Sequence, residues 1–391
     1  MNQLEPTIAI STHYGTGGSL LYLQRFAGAL HKIDYPVIFY LPQNTDIGMS
    51  NTSSCRFSLK EPSTSPPFVR TKFLKYPYHL SKYIYNAFII RPERYIRGVH
   101  LLFPFYLTDW ITIGRLKRRG IKVVLTVHEV FPHKPFLGTN IDMKLLRRMY
   151  EYADLLLVHT NSLKKKLFDL FSINPENIHV VPHGVFKLPQ SPVDVMTLKK
   201  KYHVPINKKV LLFFGTIRGN KGLDILLHAM QKLKTDFFLL ISGDIAGKSE
   251  TPTKYYEEII EKSNIGDSVY WVKKYMSNEE ASEVFKIADT VILPYKKSYY
   301  AQSGVLNLSI GYEKPLVVTN VGGIGEAVTN YNLGTVVEPE NTDAMRNGII
   351  KLFEDHSDVY GFKRYKEENS WDRVAEKYIK IYEGLLCSKR F

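Results

Sequence analysis

KVLLFFGTIRGNKGLDILLHAM, residues 209–230, reads strand, glycine loop, helix, with the helix starting at Gly222-Leu223-Asp224. The chain opens in the same order. TIAISTHYGTGGSLLYLQRFAGALHK, residues 7–32, places Leu20, Leu21, Leu23, Phe26, Ala27 and Leu30 at helical spacing behind its own glycine loop. YPVIFYLP follows as a second strand. The strand–helix–strand order repeats through VHLLFPF, the helix ending LKRRG, KVVLTVHEVFPH, ADLLLVHT, NSLKKKLFDLF and IHVVPHGV. After residue 209 it continues through FFLLISGD, SVYWV, TVILPY and LVVTNVGG. Strands alternating with helices predict parallel sheets covered on both faces.

Residues 186–209, FKLPQSPVDVMTLKKKYHVPINKK, break this rhythm with proline and lysine. They divide the chain into an α/β domain over 1–187, a linker at 188–208 and a second α/β domain over 209–368. An amphipathic helix over 369–391 is expected to cross back towards the first domain. At 391 residues the chain is long enough for two such cores. In doubly wound sheets ligands bind beyond the carboxyl ends of the strands, so two facing sheets predict a site in the cleft between them.

Composition narrows the partners. With 44% hydrophobic and 23% charged residues the chain reads as globular. No apolar run reaches the roughly 18–20 residues of a membrane span, and the first residues lack the order of a signal peptide. Cys55 and Cys387 have no metal-ligand spacing, which fits a reducing cytoplasm. The net charge of +14 calls for an anionic partner: nucleic acid, an anionic membrane surface or a phosphate-rich small molecule. The basic residues are scattered and no standard nucleic-acid module is visible, so nucleic acid is not expected.

The loops after the strands carry the candidate chemistry. In GTIRGNKG, Gly215 ends a strand, and Arg218 and Lys221 stand beside a helix start that adds about half a positive charge. Two cations there can neutralise a diphosphate; the plain alternative is a solvated basic turn. In AQSGVLNLSIGYEKP, residues 301–315, a turn leads to a helix from Gly304 to about Tyr312, stopped by Lys314-Pro315. The first amides, near Ser303, Gly304 and Val305, lack helical partners and can hold phosphate oxygens without any acid. Ser303 acting only as a helix cap is the plain alternative. HYGTGG, residues 13–18, brings Gly17 and Gly18 ahead of a helix, but the spacing is not that of a nicotinamide-dinucleotide loop. His128 and Glu129 end the strand KVVLTVHEV, and His133, His159 and His183 also follow strands. No helical i, i+4 histidine pair of the metal-binding kind and no Asp-x-Asp is present, so no metal is expected.

Together these pieces resemble the retaining glycosyltransferases of family 4, with the GT-B fold of two Rossmann-like domains facing across a cleft. The likeness covers nearly the whole chain and is strongest over 209–330. It implies transfer of a hexose from a nucleoside diphosphate sugar to a hydroxyl of a saccharide or lipid-linked acceptor, without metal or other cofactor. It implies that Arg218 and Lys221 bind the donor diphosphate with help from backbone at Gly215, Gly304 and Val305. Gly17 and Gly18 would lie under the donor phosphate and sugar, and His128 would contact the sugar. The loop at Lys274, Tyr275 and Met276 would meet the base through backbone. Members commonly carry Glu-x7-Glu; the matching positions here are Tyr300 and Leu308. Gln302 and Ser303 could substitute. The missing acids also open the reading of a non-catalytic nucleotide-sugar-binding subunit, while a 2-epimerase would need an acid pair that the sequence does not supply. The likeness further implies cell-surface polysaccharide or glycolipid synthesis. RTKFLKYPYHLSKYIYNAFIIRPERYIR, residues 70–97, mixes tyrosines and cations in a way that suits a peripheral membrane contact.

Overall fold

The computed structural model describes residues 7–43, 45–48, 54–61, 72–132, 135–185, 188–233, 235–245, 251–354 and 361–387. His133, the start of the 70–97 stretch and residues 388–391 lie outside them. The chain divides into a first unit, Met1–Gly184 with Ser370–Phe391, and a second, Val185–Asn369.

In the first unit the elements run β1 (Ile8–Thr12), α1 (Gly17–Lys32), β2 (Val37–Pro42), β3 (Cys55–Leu59), α2 (Lys72–Ile89) and β4 (Gly98–Phe103). They continue with α3 (Asp109–Arg118), β5 (Lys122–Thr126), α4 (Thr139–Tyr152), β6 (Leu155–Val158), α5 (Asn161–Phe171) and β7 (Ile178–Val180). All seven strands are parallel, in the order β3-β2-β1-β4-β5-β6-β7. Alternation along each strand feeds two cores. Ala9, Val99, Val123 and Leu125 face a core with Ile113, Leu146 and Leu167. Ile8, Ile10, Leu102 and Val124 face another with α1. Continuous apolar strands are what a sheet covered on both sides demands.

The second unit runs α6 (Val195–Lys201), β8 (Lys209–Phe214), α7 (Leu223–Gln231), β9 (Phe237–Ser242), α8 (Thr253–Lys262), β10 (Val269–Val272) and α9 (Asn278–Ile287). Then follow β11 (Thr290–Leu293), α10 (Gly304–Gly311), β12 (Leu316–Thr319), α11 (Ile324–Tyr331), β13 (Gly334–Val337), α12 (Thr342–Glu354) and α13 (Phe362–Glu368). Its six parallel strands are ordered β10-β9-β8-β11-β12-β13. Residues 188–208, expected to be a linker, belong instead to this unit. Asp194 caps α6 by accepting from Thr197 N at 3.0 Å, and Lys201 and Tyr202 both reach Glu283 of α9, at 2.6 and 2.5 Å.

The last helix, α14 (Trp371–Cys387), belongs to the first unit. Its Val374, Tyr378, Tyr382 and Leu385 form one stripe that closes the α1-side core. There His100 of β4 meets Tyr382 Oη at 2.6 Å and Thr126 Oγ1 at 2.7 Å.

In both sheets the order reverses next to the first strand, between β1 and β4 and between β8 and β11. That reversal opens a crevice at the strands' carboxyl ends, where ligands bind in this architecture.

Candidate functional site

In the second unit the loop after β8 is shaped by two glycines. Gly215 has φ +93. Gly222 has φ +67, and a Cβ there would stand 1.9 Å from the Pro294 carbonyl oxygen. Only glycine lets the start of α7 press against the end of β11. The loop thereby turns Lys221 inward. Its Nζ lies 3.5 Å, and Val305 Cγ2 3.3 Å, from the point where a Cβ on Gly215 would stand. The same ammonium sits 5.6 Å from the ring centre of Tyr295, whose hydroxyl meets Ser303 Oγ at 3.3 Å. Loss of water around the ammonium, with the charge of Arg218 adding to it, pulls the lysine down to about 7. Burial raises Tyr295 to about 12, although Ser303 and Arg218 both oppose the shift. Among the described residues neither Arg218 nor Lys221 has a carboxylate partner, whereas Lys296 is paired with Asp224 at 2.8 Å. Gly215, Arg218, Lys221 and Val305 are thus brought together around the start of α10.

Ser303 is the cap of that helix: its Oγ accepts from Leu306 N at 3.2 Å. Gln302 holds a buried Oε1 with no hydrogen-bond partner among the described residues. The amides of Gly304 and Val305 open the first turn, whose geometry offers them no intrahelical acceptor. Leu308 is a core residue, 6% exposed. No carboxylate could be placed there without burying it. In the loop after β10, Lys274 N donates to Val272 O at 3.0 Å. The Lys274 ammonium pairs with Glu280, and Tyr275 is 74% exposed.

In the first unit Gly17 begins α1 with φ +61, while a Cβ on Gly18 would meet nothing within 4 Å. The first turn of α1 has no acid, and its cap residue Thr16 makes no side-chain bond. The loop is fixed from beneath by a network that sequence reading missed. His13 Nε2 meets the Asp109 carboxylate at 2.9 Å, and Asn86 Nδ2 lies 3.2 Å from His13 Nδ1. Asp109 also accepts from Phe105 N at 2.7 Å and from Thr112 Oγ1 at 3.1 Å. These partners are up to 96 positions apart, so no local pattern could reveal them.

His128 stacks on Phe103, ring centres 4.2 Å apart. Its Nε2 donates to Leu102 O at 3.0 Å, and its Nδ1 faces His159 Nε2 at 3.0 Å. His159 Nδ1 in turn donates to Val181 O at 2.9 Å. Burial, reinforced by His159 and His183, holds His128 well below the ordinary histidine range. With both N–H protons directed at the two carbonyls, the facing His128 Nδ1 and His159 Nε2 of these neutral rings share no proton, and His128 Nδ1 keeps its acceptor lone pair. Beside His128, at the ends of β4 and β5, is a cavity of about 320 Å³ walled largely by aromatic and aliphatic side chains. The sequence reading did not single it out. Among the described residues no group of three or more His, Cys, Asp or Glu could hold a metal ion.

Comparison with known proteins now adds to this geometry. The sequence profile of the "Glycosyl transferases group 1" family matches residues 194–377, and that of "Glycosyltransferase Family 4" matches residues 16–186. The chain belongs to the group 1 glycosyltransferases. An uncharacterized glycosyltransferase of Methanocaldococcus jannaschii is 23% identical over 80% of this chain and 83% of its own length. The glycosyltransferase chain superposes on sucrose-phosphate synthase from Thermosynechococcus elongatus with a TM-score of 0.73 at 17% identity, covering 99% of this chain and 100% of that one. Anabaena HepE in complex with UDP-glucose gives 0.72 at 13% identity, over 96% and 99% of the two chains. At such identities the likeness establishes the fold, GT-B with two Rossmann-like domains.

Proposed function

We propose that this glycosyltransferase moves a sugar, with retention of anomeric configuration and without metal, from a nucleoside diphosphate sugar to a hydroxyl of a saccharide or lipid-linked acceptor. One observation carries the reading: Lys221 and Val305 of the first turn of α10 meet at Gly215, the charge of Arg218 reaches Lys221 and Tyr295 there, and neither cation has a carboxylate partner among the described residues. The difficult step is departure of the diphosphate while positive charge builds on the sugar ring. Preorganised donors at the departing oxygen can each contribute about 3–4 kcal/mol. Arg218, Lys221 and the amides of Gly304 and Val305 supply them, and the leaving phosphate takes the acceptor proton. Gln302 Oε1 accepts from a donor hydroxyl. Gly17 and Gly18 let the sugar approach the first unit, and His128 orients rather than abstracts. That HepE is described in complex with UDP-glucose supports this class of donor.

On this reading the reaction runs at the cytoplasmic face of a membrane, in polysaccharide or glycolipid synthesis. No helix among the described residues is long and apolar enough to cross it. Supporting peripheral contact, α2 exposes Ile84, Tyr85 and Phe88, with Lys60 over Tyr85 at 4.2 Å and Arg115 over Phe88 at 5.1 Å. A screen of nucleoside diphosphate sugars, reading released nucleoside diphosphate, tests the proposal. Release from at least one donor is expected; no release from any, with or without saccharide acceptors, counts against it.

One observation favours a second reading, a binding subunit without turnover: Tyr300 and Leu308 stand where acids are usual. That reading predicts a thermal shift with nucleoside diphosphates and no donor hydrolysis.

A further inference from the structure

We propose that the first unit takes an acceptor bearing a linear apolar chain, and that the chain enters the cavity beside His128. The inference rests on the transferase reading and adds the acceptor's chemical class. Phe103, Phe105, Leu146, Met149 and Tyr150 give the cavity apolar walls, and His128 and Glu129 mark its polar end.

The rim completes the argument. Phe136, which lines the cavity, is 44% exposed, and Leu137 and Ile141 beside it are 49% and 51% exposed. An exposed apolar group of this kind marks a contact site rather than ordinary surface. Nor is it a loose loop. Asp142, fully buried, accepts from Phe136 N, from Leu137 N at 3.2 Å and from Tyr106 Oη at 2.8 Å. A buried carboxylate spent on holding two apolar side chains in water makes sense when a ligand covers them. The same helix turns Leu146, Met149 and Tyr150 inward, at i, i+3 and i+4, so rim and interior form one apolar track. A hydroxyl-bearing head at the His128–Glu129 end with its chain running out over the rim fits that track.

The test is calorimetric titration of the full chain with methyl, butyl, hexyl and octyl glucoside, each below its micelle concentration. The dissociation constant is expected to fall about three- to fourfold per added methylene until the track is filled. Met149→Phe, which narrows the interior, and Leu137→Asp, on the rim where folding is not at risk, are each expected to flatten that slope. Affinity independent of chain length overturns the proposal, as does an unbranched trisaccharide binding more tightly than octyl glucoside. If Leu137→Asp loses binding to vesicles of phosphatidylcholine and phosphatidylglycerol but keeps the slope, the rim is a membrane contact and the proposal also fails. Release of nucleoside diphosphate by the wild-type chain, with and without acceptors, is measured separately. A steep slope without release supports the chain site and removes the transfer reading; release with no slope does the reverse.

Discussion

The two units share a sheet order, with the first strand flanked by the second and fourth, yet they fill the crevice at its reversal with opposite chemistry. In the second unit Arg218 and Lys221 stand near an open helix start without a carboxylate to balance them. In the first, His13 is fixed by Asp109, the neighbouring histidines are buried and neutral, and an aromatic cavity opens beside them. Topology decides where a ligand meets each sheet. Side chains decide that one sheet meets charge and the other meets apolar surface.

The contrast can be broken first with acid. His100, His159 and His183 are lowered by burial to about 3, 4 and 3, and His128 lies well below its ordinary value. Unfolding frees all four to take up protons at the ordinary histidine value near 6.5. Stability of the first unit is therefore intact above about 6.5 and falls as pH drops towards 4, by up to about 1.4 kcal/mol per pH unit for each histidine. Denaturant melts at stepped pH, read on Trp110 and Trp371 of this unit, should show the loss; a flat profile would mean the rings are not buried neutral.

Next is Lys221→Ala, expected to lower kcat by about 10²–10³-fold with little change in KM. Wild-type turnover in that variant would remove the lysine from the mechanism. Gly222→Ala meets both a φ of +67 and the Pro294 carbonyl; a loss of at least about 2 kcal/mol is expected in chemical denaturation. A smaller effect is the pH dependence of nucleoside diphosphate affinity. Free Lys221 titrates at about 7, and a bound diphosphate raises it, so binding takes up a proton above that pH. The dissociation constant should weaken by up to about tenfold per pH unit above 7, an effect absent from Lys221→Met. Smallest is Gly18→Ala, expected within about 0.5 kcal/mol of wild type by thermal melt, because nothing crowds that position.

Most strands were legible because a sheet buried on both faces needs uninterrupted apolar runs. β3 escaped notice: it is an edge strand, CRFSL, in which only Cys55 and Leu59 are buried. α6 was hidden inside a proline- and lysine-rich stretch and is held by distant Glu283. In the candidate site, the cations after β8 and the start of α10 were readable because each lies in one short loop. The His13–Asp109–Asn86 network and the cavity walls come from segments far apart, and only the fold assembles them. Ser303 could be read as a ligand contact or as a cap; its bond to Leu306 N shows the capping role.

Because α14 seals the face of the first sheet, the segment nearest the amino terminus stays incomplete until the carboxy-terminal helix has left the ribosome. During synthesis the second unit can close on its own while Ile10, Phe26 and Val124 wait for their cover. A nascent chain stalled near residue 369 would carry an open hydrophobic face and be a substrate for chaperones.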